Sequence, residues 1–341
     1  MSEKCPQATY HDASVFKELF GREASETIQD MDNAGDDIAN QAPSVGIDIN
    51  LVGIDDKRTY FNVEDPLASG SPITLYSKVR VGIEVPKTLR GIHVSRLNDS
   101  IARISQARTY KNVHDFAHAL ASDIKQTQQA SLVSVKVEAD YITFADVQTI
   151  NQAPPKKTQD RFLLLAEASI DNDNELAAAG IEVNHITSCP CVQQTIRHAV
   201  GKESDLPLLT HSQRSITRIL LTGLSRDVNL AEFLKSVDAA VFLARDTLPR
   251  PGEASLVFRS HEQPQFIEDV VRQVAHQLYR QFGESHPEAG IHIESRSLES
   301  IHTFDIVAVL DTSMRELKAH GLSAAPQAHK KIETRWNPLS A

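Results

Sequence analysis

The sequence predicts an α+β protein that consists of two similar halves, each with antiparallel strands around one long helix. Three observations support this fold class. The chain has 341 residues, 41% apolar and 23% charged, an ordinary globular composition with room for two cores. Alternating apolar stretches that suit strands recur along the chain. They flank amphipathic helix patterns in the same order twice, although no repeat is visible at the level of single residues.

The first half combines three strand patterns with one clear helix. The strands are predicted over residues 73–85, 131–144 and 161–170. Asn112 is a predicted helix N-cap, because its side chain can accept a hydrogen bond from the first helical turn. The apolar face of that helix consists of Val113, Phe116, Ala117, Leu120 and Ile124.

The second half repeats the scheme with two helices. Its strands are predicted over residues 215–224, 290–297 and 303–310, and its helices over 229–237 and 264–282. Pro264 suits the first turn of the longer helix. One apolar stripe of that helix is predicted to contain Phe266, Val270, Val274 and Leu278.

Four segments are predicted along the chain, and the first of them is distinguished by its negative charge. Of the formal net charge of −10, −7 lies within the first 60 residues. We therefore predict an acidic N-terminal extension (1–65), a first half (66–187), a second half that carries the chemistry (188–322) and a loose tail (323–341).

Composition also excludes several classes of protein. The sequence has no basic stripe of the kind that grips nucleic acid. No apolar run approaches the length of a membrane span, and the N-terminus lacks the apolar core of a secretory signal. Three cysteines do not form a disulfide framework. We expect a cytoplasmic protein with neither nucleic acid nor membrane as a partner.

The stretch with the most chemistry is Cys189-Pro190-Cys191, followed by His211. A proline between two cysteines makes a stiff, extended turn, because its ring fixes φ and disfavours helix before it. A thiolate and an imidazole together suit a transition metal. Cysteines are also common as small buried hydrophobes, and the pair alone does not decide between these interpretations.

Three further stretches carry acids that could complete a site. Glu253 follows a Pro-Gly turn, Glu268 lies in the first turn of a helix, and Glu299 and His302 lie in a bend between two strands. Each has a structural explanation: a surface carboxylate, a charge that complements the helix dipole, and a structural histidine.

A fourth stretch, from Gly91 to Arg96, places His93 and Arg96 close together after a glycine. These side chains can bind phosphate through charge-assisted hydrogen bonds. A surface arginine explains the same residues about equally well.

Taken together, six motifs between Gly91 and Leu310 resemble the prokaryotic type IB GTP cyclohydrolase family, which includes archaeal methanopterin-pathway enzymes. Each motif is weak alone, but six in the right order are hard to obtain by chance. They are Gly-x-His-x-Ser-Arg (91–96), Cys-Pro-Cys (189–191), His-x-Gln-Arg-Ser (211–215), Arg-Pro-x-Glu (250–253), Phe-Ile-Glu-Asp (266–269) and Glu-Ser-Ile-His (299–302).

The resemblance implies a tandem tunnelling fold that assembles into an oligomeric barrel, a homo-oligomeric dimer or tetramer with active sites at subunit interfaces. It implies one divalent metal per site, Zn, Fe(II) or Mn. It assigns metal ligation to Cys189, His211 and Glu253, catalytic roles to Cys189, Glu299 and His302, guanine anchoring to Glu268, and triphosphate binding to His93, Arg96 and Arg214.

The implied function is hydrolysis of the imidazole ring of GTP at C8, with release of formate and formation of 7,8-dihydroneopterin triphosphate for folate and pterin biosynthesis. A methanopterin-type enzyme that forms a cyclic phosphate is the nearest alternative. Two others are a relative that uses Cys189 or Cys191 as a nucleophile on another purine or pterin, and a binding protein with a structural zinc. Ser212 and Gly252 stand where the family pattern has Asn and Asp, and the segment from Cys191 to His211 is longer, which leaves substrate and product open.

Overall fold

A computed structural model describes residues 38–67, 71–147, 156–172, 174–201, 207–224 and 230–322 of the chain. Residues 38–49 and 85–92 belong to one compact unit, and the other described residues belong to a second. The first unit contains a 3-10 helix at Ile38–Asn40. It is held together by hydrogen bonds from the Arg90 N–H to the Ala39 carbonyl (3.1 Å) and from the Lys87 N–H to the Asp48 carboxylate (2.7 Å).

In the described part of the chain, ten strands form one sheet in the order β10-β9-β7-β6-β5-β4-β2-β1-β3, with β8 paired to β6. The long strands from β2 to β10 pair antiparallel, and β3 is parallel to β1. The strands are β1 (Ile49–Glu64), β2 (Pro72–Val85), β3 (Thr109–Tyr110), β4 (Val133–Val147), β5 (Lys156–Ile170), β6 (Glu175–Ser188), β7 (Ser212–Thr222), β8 (Phe242–Leu243), β9 (Gly290–Ser297) and β10 (Ile306–Ser313).

In the described part of the chain, six of the seven α-helices lie between strands in chain order, and the last follows β10. No helix within the described residues combines the length and hydropathy that crossing a bilayer requires. The helices are α1 (Val94–Ala107), α2 (Val113–Gln128), α3 (Pro190–Val200), α4 (Leu230–Asp238), α5 (Arg250–Glu262), α6 (Ile267–Phe282) and α7 (Met314–Ala319).

The order of elements repeats. In the sheet, β1-β2-β4-β5 are successive neighbours with α1 and α2 between β2 and β4 in the chain, and β6-β7-β9-β10 are successive neighbours with α4, α5 and α6 between β7 and β9. The predicted α+β class with a large antiparallel sheet is confirmed. The assembly of subunits into a barrel and the four segment boundaries stay predictions.

The hydrophobic core lies where α2 and α6 pack on the sheet. Along α2, the predicted face is buried, and Asn112 caps the helix by accepting a hydrogen bond from the Asp115 N–H (2.8 Å). Phe116 stacks on Phe61 of β1 with ring centroids 3.7 Å apart. In α6, Val270, Val274 and Leu278 are fully buried, so helical periodicity at these positions reflects real packing.

Three local predictions were wrong. The extended turn predicted at 189–191 is limited to Cys189, because Pro190 and Cys191 form the first turn of α3, where proline is tolerated. Residues 250–253, predicted as a turn, form the first turn of α5, because Pro251 fits at the start of a helix where no N–H partner is needed. Phe266, predicted on the apolar stripe, is instead the N-cap residue of α6 and is 42% exposed. The sequence also gave no prediction of α1, or of β1, whose acidic and apolar residues lie within the stretch interpreted as an extension.

Candidate functional site

The register of two strands brings Cys189 and His211 together. β6 and β7 pair antiparallel to their ends, where Ser188 lies opposite Ser212. The next pair outward is Cys189 and His211, and the Cys189 N–H donates to the His211 carbonyl at 3.0 Å. The Thr210 hydroxyl donates to the Cys189 carbonyl at 2.7 Å. The backbones of Cys189 and His211, which are 22 positions apart in sequence, are therefore hydrogen-bonded to each other at the ends of these two strands.

His211 also belongs to a hydrogen-bonded group, the His211 cluster, formed by His211, Gln213, Ser297, Glu299 and Ser300. His211 Nδ1 lies 3.0 Å from Gln213 Oε1 and 3.2 Å from Ser300 Oγ. The Gln213 amide nitrogen donates to Glu299 Oε1 (3.3 Å) and to Ser297 Oγ (3.2 Å). The Ser297 hydroxyl donates to the same Glu299 oxygen at 2.8 Å.

His302 lies beside this cluster. Its ring meets the His211 ring edge-on with centroids 6.5 Å apart, and it stacks on Phe304 at 5.2 Å. His302 is exposed, whereas Glu299 is half-buried. His302 thus lies close to His211, and Glu299 is linked to the same imidazole through Gln213. The predicted convergence of Glu299 and His302 and their chemical roles stay predictions.

The C-terminal end of α5 supports the loop that carries His211. The Gln193 amide in α3 donates to the Leu208 carbonyl (3.1 Å) and to the His261 carbonyl (2.7 Å). The Ser188 hydroxyl donates to Ser260 Oγ at 3.3 Å. These bonds connect the end of β6, α3, the loop before β7 and the C-terminal end of α5.

Glu253 lies near the opposite, N-terminal end of α5. It is exposed in the first turn of α5, eight residues before His261, which is about 12 Å along the helix axis. Among the residues that the structure describes, no three or more His, Cys, Asp or Glu side chains are grouped to hold a metal ion. The donor atoms of Cys189 and His211 suit a soft metal by their chemistry. The three-ligand set therefore stays a prediction.

The remaining predicted residues lie around the sheet rather than in the cluster. Glu268 is exposed in the first turn of α6, and Arg214 is an exposed residue of β7. His93 and Arg96 belong to the first half, where His93 is the N-cap residue of α1. A separate cavity of about 240 Å³ is lined by charged residues of β1, β2, β4, β5 and β7 and contains none of the predicted site residues.

The sequence comparisons decide the family of the chain. A family model described as type I GTP cyclohydrolase folE2 matches residues 36–308. The chain belongs to this family. The predicted membership of a GTP cyclohydrolase family is confirmed, and the chain is an enzyme of that kind. The type IB label and the folate pathway stay predictions.

Its relatives carry the same activity in their names. The cyclohydrolase is similar to the protein named GTP cyclohydrolase MptA of Thermoplasma acidophilum, with 25% identity over 300 residues, 83% of this chain and 96% of the relative. It is similar to the MptA protein of Methanocaldococcus jannaschii, with 27% identity over 312 residues, 84% of this chain and 98% of the relative.

A solved structure with a related chain path is uricase from Arthrobacter globiformis, at 9% identity and a TM-score of 0.47, covering 77% of this chain and 93% of that one.

A row of hydrogen-bonded polar side chains lies on the helix-covered face of the sheet, next to the His211 cluster. The sequence patterns did not predict this row. His185 of β6 is fully buried, its Nε2 lies 2.7 Å from the Thr217 hydroxyl, and that hydroxyl lies 2.7 Å from Ser295 Oγ. The available signal was that Gln213, Ser215 and Thr217 alternate on the inward side of a strand, where apolar residues are usual.

Burial of His185 makes the stability of this cyclohydrolase dependent on pH. Loss of solvation lowers the pKa of His185 to about 4, below its ordinary value of 6.5. The unfolded chain therefore binds more protons as the pH falls below 6.5, and stability decreases down to about pH 4. We expect His185 to account for about 2 kcal/mol of the free energy of unfolding lost between pH 7 and pH 5.

Denaturant unfolding of His185→Gln at both pH values measures this effect. The variant should lose about 2 kcal/mol less than the parent between pH 7 and pH 5, whatever its stability at pH 7. His320→Gln, which changes an exposed histidine, is the matched control. An identical pH dependence for His185→Gln and the parent would contradict the prediction.

Proposed function

We propose that this chain opens the imidazole ring of GTP by hydrolysis at C8, releases formate and forms a dihydroneopterin phosphate. The family match and the names of the relatives support GTP as the substrate. The observation that carries the proposal is the His211 cluster, in which Gln213 connects the His211 imidazole to the Glu299 carboxylate and the His211 backbone is bonded to that of Cys189.

Cys189 and His211 would hold a divalent ion, Zn, Fe(II) or Mn, with Glu253 as the predicted third ligand. When bound, such an ion lowers the pKa of water to about 7 and so supplies a nucleophile at neutral pH. The sulfur, nitrogen and oxygen donors admit all three metals, since affinity order alone does not select among them.

The chain's own residues would manage the protons. Opening the ring requires a proton on the departing ring nitrogen, and a positioned acid near that atom accelerates the step. His302 and Glu299 are the proposed acid and base. Glu299 has its carboxylate direction fixed by the Ser297 hydroxyl and the Gln213 amide, while His302 is exposed towards solvent.

Recognition of GTP would use residues on other elements. The Glu268 carboxylate can accept two N–H bonds from the guanine edge, a donor pair that adenine lacks. His93, Arg96 and Arg214 would bind the triphosphate through charge-assisted hydrogen bonds. Because α1 belongs to the other half of the chain, we propose that a homo-oligomer, a dimer or tetramer, completes each site at a subunit interface.

Glu268→Gln is expected to weaken guanine binding more than chemistry. The amide retains one acceptor but replaces the other with a donor, which opposes a guanine N–H. We expect KM for GTP to rise about 10- to 100-fold, since an unpaired polar group in a site built for hydrogen bonds costs about 1–3 kcal/mol. Steady-state kinetics measure the change, and an unaltered KM with lost kcat would contradict it.

The decisive experiment incubates the purified full chain with GTP and Zn²⁺, Fe²⁺ or Mn²⁺ in turn. Formate release and a fluorescent pterin after oxidation are expected with at least one metal. Absence of formate with all of them would overturn the proposal and favour a structural zinc protein. Full activity after chelation would favour the cysteine nucleophile.

The identity of the pterin product distinguishes the two remaining candidate reactions. We propose 7,8-dihydroneopterin triphosphate as the product, with the cyclic phosphate as second candidate because the relatives are named MptA, the methanopterin-type variant. Alkaline phosphatase removes phosphate from the open triphosphate and leaves a cyclic diester intact. Treating the pterin product with this enzyme before chromatography therefore identifies which of the two is made.

A further inference from the structure

We infer that Gln213 is a positioning residue that holds the proton of His211 on Nδ1 and so leaves the Nε2 lone pair for a ligand. This inference deepens the proposed function, because His211 is a proposed metal ligand. It rests on the donors and acceptors of the His211 cluster, which leave one self-consistent arrangement of hydrogens.

Glu299 determines the orientation of the Gln213 side-chain amide. An ionised carboxylate only accepts hydrogen bonds, and Glu299 Oε1 faces both the Ser297 hydroxyl (2.8 Å) and the Gln213 side-chain amide (3.3 Å). The group of Gln213 that faces Glu299 must therefore be its NH₂, which also donates to Ser297 Oγ (3.2 Å). The negative charge of Glu299 thus fixes which way the Gln213 amide points.

The orientation of the amide then fixes the imidazole. With its NH₂ turned to Glu299, Gln213 presents its oxygen to His211 Nδ1 at 3.0 Å. An amide oxygen cannot donate, so Nδ1 must carry the hydrogen. A neutral imidazole has one N–H, and Nε2 therefore has the free lone pair that metal coordination requires. Ser300 Oγ, 3.2 Å from Nδ1, is a second acceptor for the same hydrogen.

This chain of bonds gives Glu299 an effect on His211 without contact between them. The carboxylate polarises the amide, and the amide in turn polarises the N–H bond of the imidazole. Gln213 and Glu299 are both half-buried, so bulk water does not fully screen the relay. The His-x-Gln spacing is what allows it, because residues 211 and 213 lie on the same face of one extended segment.

Nitrogen NMR of the full chain labelled with ¹⁵N-histidine tests the inference, with His211→Gln to assign the resonances. A Ser300→Ala background removes the second acceptor. In that background His211 should be protonated at Nδ1, and addition of Gln213→Met should move the proton to Nε2, the preferred site of free neutral histidine. Gln213→Glu should keep it on Nδ1, because a carboxylate still accepts the hydrogen bond. If Gln213 had a purely structural role, Gln213→Glu should instead disturb His211 more than Gln213→Met does, because the added charge lies next to Glu299.

Titration with Zn²⁺ on the same samples measures the consequence. Removing a partner that orients a ligating histidine typically weakens metal affinity about 10- to 100-fold, and we expect this for Gln213→Met. Gln273→Met, an identical change at an exposed site of α6, is the matched control. A proton on Nε2 in the Ser300→Ala background, or one that stays on Nδ1 in Gln213→Met, overturns the inference. Lack of Zn²⁺ binding by the unsubstituted chain would overturn the metal role instead and leave the proton position still measurable.

Discussion

Cys189→Ala is expected to eliminate formate release from GTP while the protein remains folded. The substitution removes the sulfur donor beside His211 but keeps the Cys189 N–H that bonds to the His211 carbonyl. Removing a residue that only orients a metal ligand already costs about 10- to 100-fold in metal affinity or activity. We therefore expect a decrease of more than about 100-fold in kcat/KM, together with loss of bound metal.

A stability measurement separates this effect from misfolding, and a second variant separates the metal role from the nucleophile role. Cys189 is only partly buried, so the free energy of unfolding should change by no more than about 1 kcal/mol. Cys191→Ala removes the exposed thiol two residues further on and discriminates between mechanisms. Full activity in Cys189→Ala would refute the metal role, and loss of activity in Cys191→Ala alone would support the nucleophile alternative.

Phe116→Ala is expected to produce the largest loss of stability. Phe116 is fully buried in α2, stacks on Phe61 at 3.7 Å and meets Tyr110 edge-on at 5.2 Å. Its removal leaves a cavity between a helix and the sheet that backbone elements cannot close. The expected cost is about 3–5 kcal/mol of unfolding free energy, measured by denaturant unfolding.

Phe144→Ala provides the matched control, because Phe144 is 65% exposed on β4. It should change stability by less than about 0.5 kcal/mol in the dissociated chain. Equal losses in the two variants would show that the stacked rings near β1 do not form the core described here.

Local patterns were sufficient for most of the regular structure. The strand expected over 73–85 is Pro72–Val85, and the helix after Asn112 has its predicted cap and face. Such elements follow from residues within a few positions of one another. Predictions were wrong where local signals conflict with context: a Pro-Gly pair at 251–252 resembles a turn but begins α5.

The candidate site was predictable as residue types and not as an arrangement. Cys189, His211, Glu299 and His302 were selected from their motifs, and the structure connects the other three to His211 by a backbone hydrogen bond, through Gln213 and by a ring contact, respectively. Gln213 was present within a quoted motif but had no assigned role, because its function depends on Glu299, 86 positions away. Glu253, predicted as a ligand at the same centre, lies in the first turn of α5, and its role stays a prediction.

By itself, the sequence determined the family, the alternation of strands and helices, and the chemical kinds of group available, because these depend on residue identity and short-range periodicity. The tertiary structure alone decided that the Cys189 N–H bonds to the His211 carbonyl and that a carboxylate in the loop after β9 accepts a hydrogen bond from a side chain at the start of β7. The reason is that hydrogen bonds between strands fix register over long sequence separations, and no local pattern encodes which residue will lie opposite another.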